Sequence, residues 1–180
     1  MGLFVGRVAF EKNISFLLRT WVDVIKNQPD ALLVIAGEGP AEKSLHALGK
    51  ALNLEDNLKF IGYLDRETEL NACYAAADVF VFSSLSETQG LVLLEAMAQG
   101  TPVVAIAELG TKSILVEGKG ALIAPENELV FAEKVNALLS NKTLRNKLSK
   151  AALSYVKTNW TDKAQTVRMI DFYKDIATSI

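Results

Sequence analysis

The chain carries one cysteine, one histidine, four prolines and no marked excess of charge of either sign. The lone thiol, Cys73, excludes an internal disulfide, and its setting in ACYAAADVFVF suits a small buried hydrophobe. His46 sits in a polar helical pattern, far in sequence from Cys73, so no soft-metal ligand set is in view and no metal is expected. With 19 Lys and Arg against 21 Asp and Glu, the formal net charge is -2, which gives neither the basic footprint of nucleic-acid binding nor an acidic tail. No apolar run approaches the roughly 18 residues of a membrane-crossing helix. The start, MGLFVGRVAFEKN, lacks the basic lead and the length of a signal peptide. These features are compatible with a reducing cytoplasm.

What is present is a strongly apolar chain of 180 residues, 50% hydrophobic, read as one domain over 1–180. Apolar clusters of strand length alternate with helical patterns: strands are expected at 3–6, 31–36, 58–61, 78–82, 102–106 and 120–124, and helices at 14–25, 41–52, 66–77 and 91–98. After Pro125 the pattern is helical only, over 129–139, 143–158 and 162–176. Continuously apolar strands joined by helices predict an α/β fold, a Rossmann-like doubly wound parallel sheet of about six strands with helices on both faces and further C-terminal helices. Such sheets bind ligands beyond the carboxyl ends of their strands. A strand at the first residues is an abrupt beginning, and further domains upstream are expected.

The strand-to-helix junctions hold the polar residues of interest. After the first strand come Gly6, Arg7, Glu11 and Lys12, where a guanidinium fork and an ammonium together suit a diphosphate and Glu11 could orient either cation. The alternative is a solvated turn. After the second come Gly37, Glu38, Gly39 and Pro40, either a tight connection or a place of close ligand approach. After the third come Gly62, Tyr63, Leu64 and Asp65, which suit either the edge of a planar base or a helix cap by Asp65. The fourth, Ser83 to Gly90, is the most informative. Gly90 opens a helix, so amides from Gln89 to Val92 are expected to lack intrahelical partners and to face an anion with the helix dipole behind them. Glu87 stands just ahead as an acceptor for sugar hydroxyls, and Glu95 follows on the helix, placed for the vicinal hydroxyls of a ribose.

Taken in order, GRxxxEKN, GEGP, AADVFVFSSxxE and ExxGLVLLEAMAxGTPVVA resemble the C-terminal, donor-binding domain of the family 4 (group 1) retaining glycosyltransferases of the GT-B fold. The resemblance covers nearly the whole chain, and the glutamates eight positions apart, Glu87 and Glu95, are its most specific mark. It implies transfer of a hexose from a UDP- or GDP-linked sugar with retention of configuration, in cell-envelope polysaccharide or glycolipid synthesis, without a cofactor or bound metal. Arg7 and Lys12 would neutralise the diphosphate, and Glu87 would bind the transferred sugar. Backbone groups of Thr88, Gln89, Gly90 and Leu91 would hold sugar and phosphate, Glu95 the ribose, and Tyr63 or Leu64 the base, with Gly6, Gly37 and Gly39 lining the donor site. The partner it implies is an N-terminal acceptor domain of the same enzyme, with no transmembrane segment. The full-length protein would be cytoplasmic, a placement compatible with peripheral association at the membrane face. Without the acceptor domain, weak nucleotide binding and little turnover are expected.

Two segments depart from the family pattern. Leu109-Gly110-Thr111-Lys112-Ser113 stands where many members have two glycines followed by a glutamate. Thr88-Gln89 stands where many have a small residue and Phe, and the resulting ETQG resembles some members that glucosylate lipids and also others. A non-catalytic nucleotide-sugar-binding module and a sugar-nucleotide epimerase are the rival readings; intact Arg7, Lys12, Glu87 and Glu95 favour the enzyme over the first, and the second would need catalytic carboxylates and a histidine in places not found. Trp21 is expected in the core. Trp160, Phe172 and Tyr173 are expected to anchor the last helices, with 162–176 the least stable element or a contact surface.

Overall fold

The computed structural model describes residues 1–178. Four short runs with almost no polar side chain form the centre of a sheet: β1 (Gly2–Val5), β2 (Leu33–Ala36), β4 (Val79–Phe82) and β5 (Val103–Ala105). Leu3, Phe4, Leu33, Ile35, Val79, Phe80, Val103 and Val104 are almost wholly enclosed, because helices cover both sides of a parallel sheet and no face is left for polar alternation. The edges are β3 (Leu58–Gly62) and β6 (Ala121–Ile123). Lys59 is exposed on β3, as suits a strand with one free edge. The order is β3-β2-β1-β4-β5-β6, every pairing parallel, so strand order reverses between β1 and β4. That is the ordering in which ligands bind at the carboxyl edge, beside the reversal.

The helices are α1 (Ile14–Asn27), α2 (Glu42–Ala51), α3 (Leu70–Ala76), α4 (Leu91–Ala98), α5 (Thr111–Ile114), α6 (Glu128–Ser140), α7 (Lys142–Asn159) and α8 (Asp162–Thr178). α1 packs on α2 and α6, while α4 packs on α3 and α7. Trp21 of α1 is 1% exposed and its indole N–H donates to the Ala31 carbonyl at 3.1 Å, so the expected core role holds. Phe16 of α1 meets Phe131 of α6 edge to face at 5.4 Å.

Three elements depart from the sequence reading. The helix expected from residue 66 begins at Leu70, because the Asp65 carboxylate accepts from the amides of Glu67 and Thr68 and from the Thr68 hydroxyl, and so closes a separate turn first. α5 was not expected; its four residues are too few to show a period. Phe172 and Tyr173, expected to anchor the last helix, are 59% and 63% exposed, and α8 has no buried residue. Trp160, by contrast, packs against the core.

Candidate functional site

The carboxyl edge gathers the loops after β1, β2, β3 and β4, and the first three of these enclose a cleft of about 300 Å³. Its walls include Gly6 and Arg7 after β1, Gly37 and Glu38 after β2, Tyr63, Leu64 and Arg66 after β3, and Val92 in the first turn of α4. Arg7 is exposed, and among the described residues no carboxylate is paired with it. Tyr63 is 69% exposed and Leu64 half-buried, giving one wall an apolar lip.

Two of the glycines are explained by chain packing rather than by a ligand. A Cβ on Gly37, at φ +130, would lie 2.0 Å from the Gly6 carbonyl oxygen, and one on Gly39 would lie 2.3 Å from that of Val8. The loops after β1 and β2 are thus pressed backbone to backbone, joined by Gly6 N–H to Ala36 O and Val8 N–H to Glu38 O. Gly37 still lines the cleft; Gly39 does not.

Beside this cleft the turn Phe10–Lys12 is held from below by two buried serines. The Ser83 hydroxyl donates to the carbonyls of Lys12 and Asn13 at 3.2 and 2.9 Å, and the Ser84 hydroxyl to that of Glu11 at 3.3 Å. This ties the segment that leads into Glu87 to the turn carrying Lys12, and the Lys12 ammonium donates to Glu87 Oε2 at 2.9 Å. The expectation that Glu11 orients a cation is corrected: its carboxylate is exposed, its carbonyl is what the serines use, and Glu87 is the partner of Lys12.

Glu87 also corrects the picture of free amides. Its Oε1 accepts from the N–H groups of Gln89 and Gly90, both at 3.2 Å, so these two are occupied. Burial pushes the Glu87 carboxyl up, but the Lys12 hydrogen bond, the two amides and the Lys12 charge outweigh it and leave the group below the ordinary carboxylate range. The amides of Leu91 and Val92 remain, in the first turn of α4, where no intrahelical acceptor reaches them. Gly90 itself is at φ 64, a left-handed conformation that lets the loop enter α4 at this angle. Thr88, Gln89 and Leu91 are exposed around it.

Glu95 lies one turn further along α4 and is not free. Arg66 Nη2 donates to its Oε1 at 2.7 Å, and the Tyr74 hydroxyl to its Oε2 at 3.0 Å. Sequence reasoning missed Arg66 and Tyr74, and the contacts made by Ser83, Ser84 and Gly110. Gly110 supports the site from the side: a Cβ there would lie 1.8 Å from the Thr88 carbonyl oxygen, and its N–H donates to the Glu87 carbonyl at 3.1 Å. A pair of serines directly after an apolar strand, at a carboxyl edge, was the available signal for two of these. Among the described residues no group of three or more His, Cys, Asp or Glu is placed to hold a metal ion, and no helix is long and apolar enough to cross a membrane.

The structure therefore brings Arg7, Lys12, Glu87, Glu95 and the start of α4 to one edge of one sheet; Arg7, Arg66 and Glu38 are the charged residues that line the cleft, and the Lys12–Glu87 and Arg66–Glu95 pairs stand at the same edge. The same arrangement of sheet and helices is found in S. aureus TarM, solved with fondaparinux, alpha-GlcNAc-glycerol and UDP (25% identity, TM-score 0.86, over 94% of this chain and 34% of that one). It is found again in the C-terminal domain of a glycosyl transferase group 1 family protein from Francisella tularensis (27% identity, TM-score 0.80, over 89% and 86%). In sequence, the chain is 37% identical over 131 residues to the alpha-monoglucosyldiacylglycerol synthase of Streptococcus pneumoniae, covering 72% of this chain and 30% of that protein. It spans less than half the length of the curated relatives it matches. Residues 1–154 match the family described as glycosyl transferases group 1, and on that match, with the GT-B architecture of its structural neighbours, the chain belongs to this family.

Proposed function

We propose that the chain is the donor-binding half of a retaining glycosyltransferase that moves a hexose from a UDP- or GDP-linked sugar to an acceptor of the cell envelope or a glycolipid. The observation that carries this reading is the convergence of the Arg7 cleft, the Lys12–Glu87 pair and the open amides of Leu91 and Val92 at the reversal between β1 and β4. The diphosphate of a nucleotide lying across that edge meets the unpaired guanidinium of Arg7, the Lys12 ammonium now held by Glu87, and the open start of α4. When the bond from the sugar to the distal phosphate breaks, negative charge grows on that phosphate, and fixed cations and amides stabilise it without rearranging. Arg7 and Lys12 take the place that a divalent ion holds in other transferases. Glu87, released by Lys12 in part, accepts from sugar hydroxyls, and Glu95 accepts from the ribose. The base lies against Tyr63 and Leu64.

The S. pneumoniae relative, a glucosyldiacylglycerol synthase by name, supports a glycolipid acceptor, and the UDP in the TarM complex supports a uridine donor. An acceptor domain elsewhere in the full-length protein would close the cleft, and work at the cytoplasmic face of a membrane follows from such an acceptor. Calorimetric titration with UDP and with GDP tests the site and selects the base. Glu95→Ala should weaken the nucleoside contribution, and Lys12→Ala should weaken diphosphate binding by about tenfold. Unchanged affinity in both variants would put the ligand elsewhere.

A further inference from the structure

Tyr74 is fully enclosed, at 0% exposure, yet it carries a hydroxyl. Its ring packs on Phe80 of β4 at 5.7 Å, a contact that phenylalanine would make equally well. The hydroxyl therefore needs a reason, and its one hydrogen-bond acceptor is Glu95 Oε2. The other oxygen of the same carboxylate is held quite differently. Arg66 reaches Oε1 from the turn after β3 with a side chain 64% exposed, and it belongs to the wall of the cleft. One oxygen is thus fixed from inside the protein by a rigid aromatic residue, and the other is covered from the solvent side by a long, exposed one.

Resting on the reading of Glu95 as the ribose acceptor, we propose that Tyr74 is a positioning residue for Glu95, and that Arg66 is a placeholder on Oε1 which the vicinal hydroxyls of the donor nucleoside displace. A carboxylate grips a vicinal diol only when its plane is fixed, since each oxygen must face one hydroxyl. Glu95 has several rotatable bonds, and the Tyr74 hydrogen bond removes the freedom that matters. Oε2 keeps a lone pair for one hydroxyl after accepting from Tyr74. Burial, followed by the charge of Glu95 and the hydrogen bond to it, pushes the Tyr74 phenol far up, so the hydroxyl stays protonated and remains a donor. Replacing Arg66 is cheap because an ion pair this exposed is already weakened by water and salt. Until a nucleoside arrives, Arg66 keeps the carboxylate neutralised at the cleft wall.

The test compares UDP with 2′,3′-dideoxy-UDP on the full chain, by calorimetry, in wild type and in Tyr74→Phe, Arg66→Ala and Glu95→Ala. Wild type should prefer UDP by about tenfold, since the dideoxy ligand leaves the carboxylate without its diol. Tyr74→Phe should lower UDP affinity about three- to tenfold and leave the dideoxy ligand unchanged, so the preference falls toward unity. A preference kept at the wild-type ratio, or equal loss for both ligands, makes Tyr74 a packing residue only and overturns its role. Arg66→Ala should bind UDP at least as tightly as wild type, up to about fivefold tighter, with the preference intact. Weaker UDP binding in that variant makes Arg66 a ligand contact and overturns the placeholder, and this arm stands even if Tyr74→Phe does not fold. If Glu95→Ala keeps the full preference, the assignment of Glu95 to the ribose has failed, and the proposal fails with it for that separate and recognisable reason.

Discussion

At the scale of the residue, the site is built by contacts between parts of the chain far apart in sequence. Lys12 and Glu87 are 75 positions apart, and both side chains are largely buried, at 22% and 18% exposure. Removing one partner leaves the other with a desolvated charge, so Lys12→Ala should lower stability by about 1–3 kcal/mol in urea unfolding at pH 7. The pH dependence has a definite sign. The Glu87 carboxyl is depressed in the folded state, so its contribution is fully present above the unfolded-state pKa and is lost as pH falls through the folded one. The stability gap between wild type and Glu87→Gln should therefore be flat near neutrality and close below the ordinary carboxylate range; a gap that widens on acidification contradicts the assignment. Gly110 gives a second case. Its missing Cβ would lie 1.8 Å from the Thr88 carbonyl, whereas one on Gly118, at φ +78, would meet nothing within 4 Å. Gly110→Ala should cost about 1–3 kcal/mol and also weaken UDP binding, because the segment it moves carries Glu87 and Thr88. Gly118→Ala should cost about 1–2 kcal/mol of backbone strain and leave binding as it was. Thermal melts with and without UDP separate the two.

At the scale of the element, the sheet was legible because its strands are unbroken apolar runs. LVIA and VFVF read as buried parallel strands before any contact is known, and all six strands lie where the pattern places them, to within a residue or two. The loops that hold the candidate site were legible as junctions of the right residue types, but their wiring was not. The late start of α3 depends on one aspartate side chain claiming two amides. The Ser83 bonds span about 70 positions and the Arg66–Glu95 bond spans 29, and neither leaves a local period to read. Occupied amides at Gln89 and Gly90 follow from a side chain folding back, which sequence spacing also leaves open. For α8 the sequence reading had two parts, and they divide. Its aromatic residues are not anchors, while the expectation of a least stable element or a contact surface accords with a helix that buries nothing and touches chiefly α7. Amide exchange should be fastest there and slowest in β1 and β4, and deletion of residues 162–180 should change the unfolding free energy by less than about 1 kcal/mol. Strong protection of α8 in a monodisperse monomer would show that something covers it.

At the scale of the whole molecule, the charge total and the charge arrangement point in opposite directions. The formal net charge is -2, which by itself would repel a nucleoside diphosphate. Arg7, unpaired, and Lys12, held by Glu87, are nevertheless collected at the carboxyl edge, where the open end of α4 adds its own positive potential. If that local field governs association, affinity for UDP should fall steadily as NaCl rises from about 0.05 to 0.5 M, because the screening length shrinks below the size of the cleft. Lys12→Ala should flatten the dependence as well as lower the affinity, since one of the screened charges is gone. A distal substitution of equal charge, such as Lys150→Ala on the exposed side of α7, should leave the slope unchanged. The same ligand should protect the fold: at a concentration about a hundred times its Kd, UDP is expected to add about 2.7 kcal/mol to unfolding, read as a rise in Tm. That gain should persist in Lys150→Ala and shrink in Lys12→Ala at fixed UDP, because only the second removes charge from the edge where the diphosphate lies. Equal slopes in all three proteins would mean that bulk charge, not the arrangement at the sheet edge, sets the interaction.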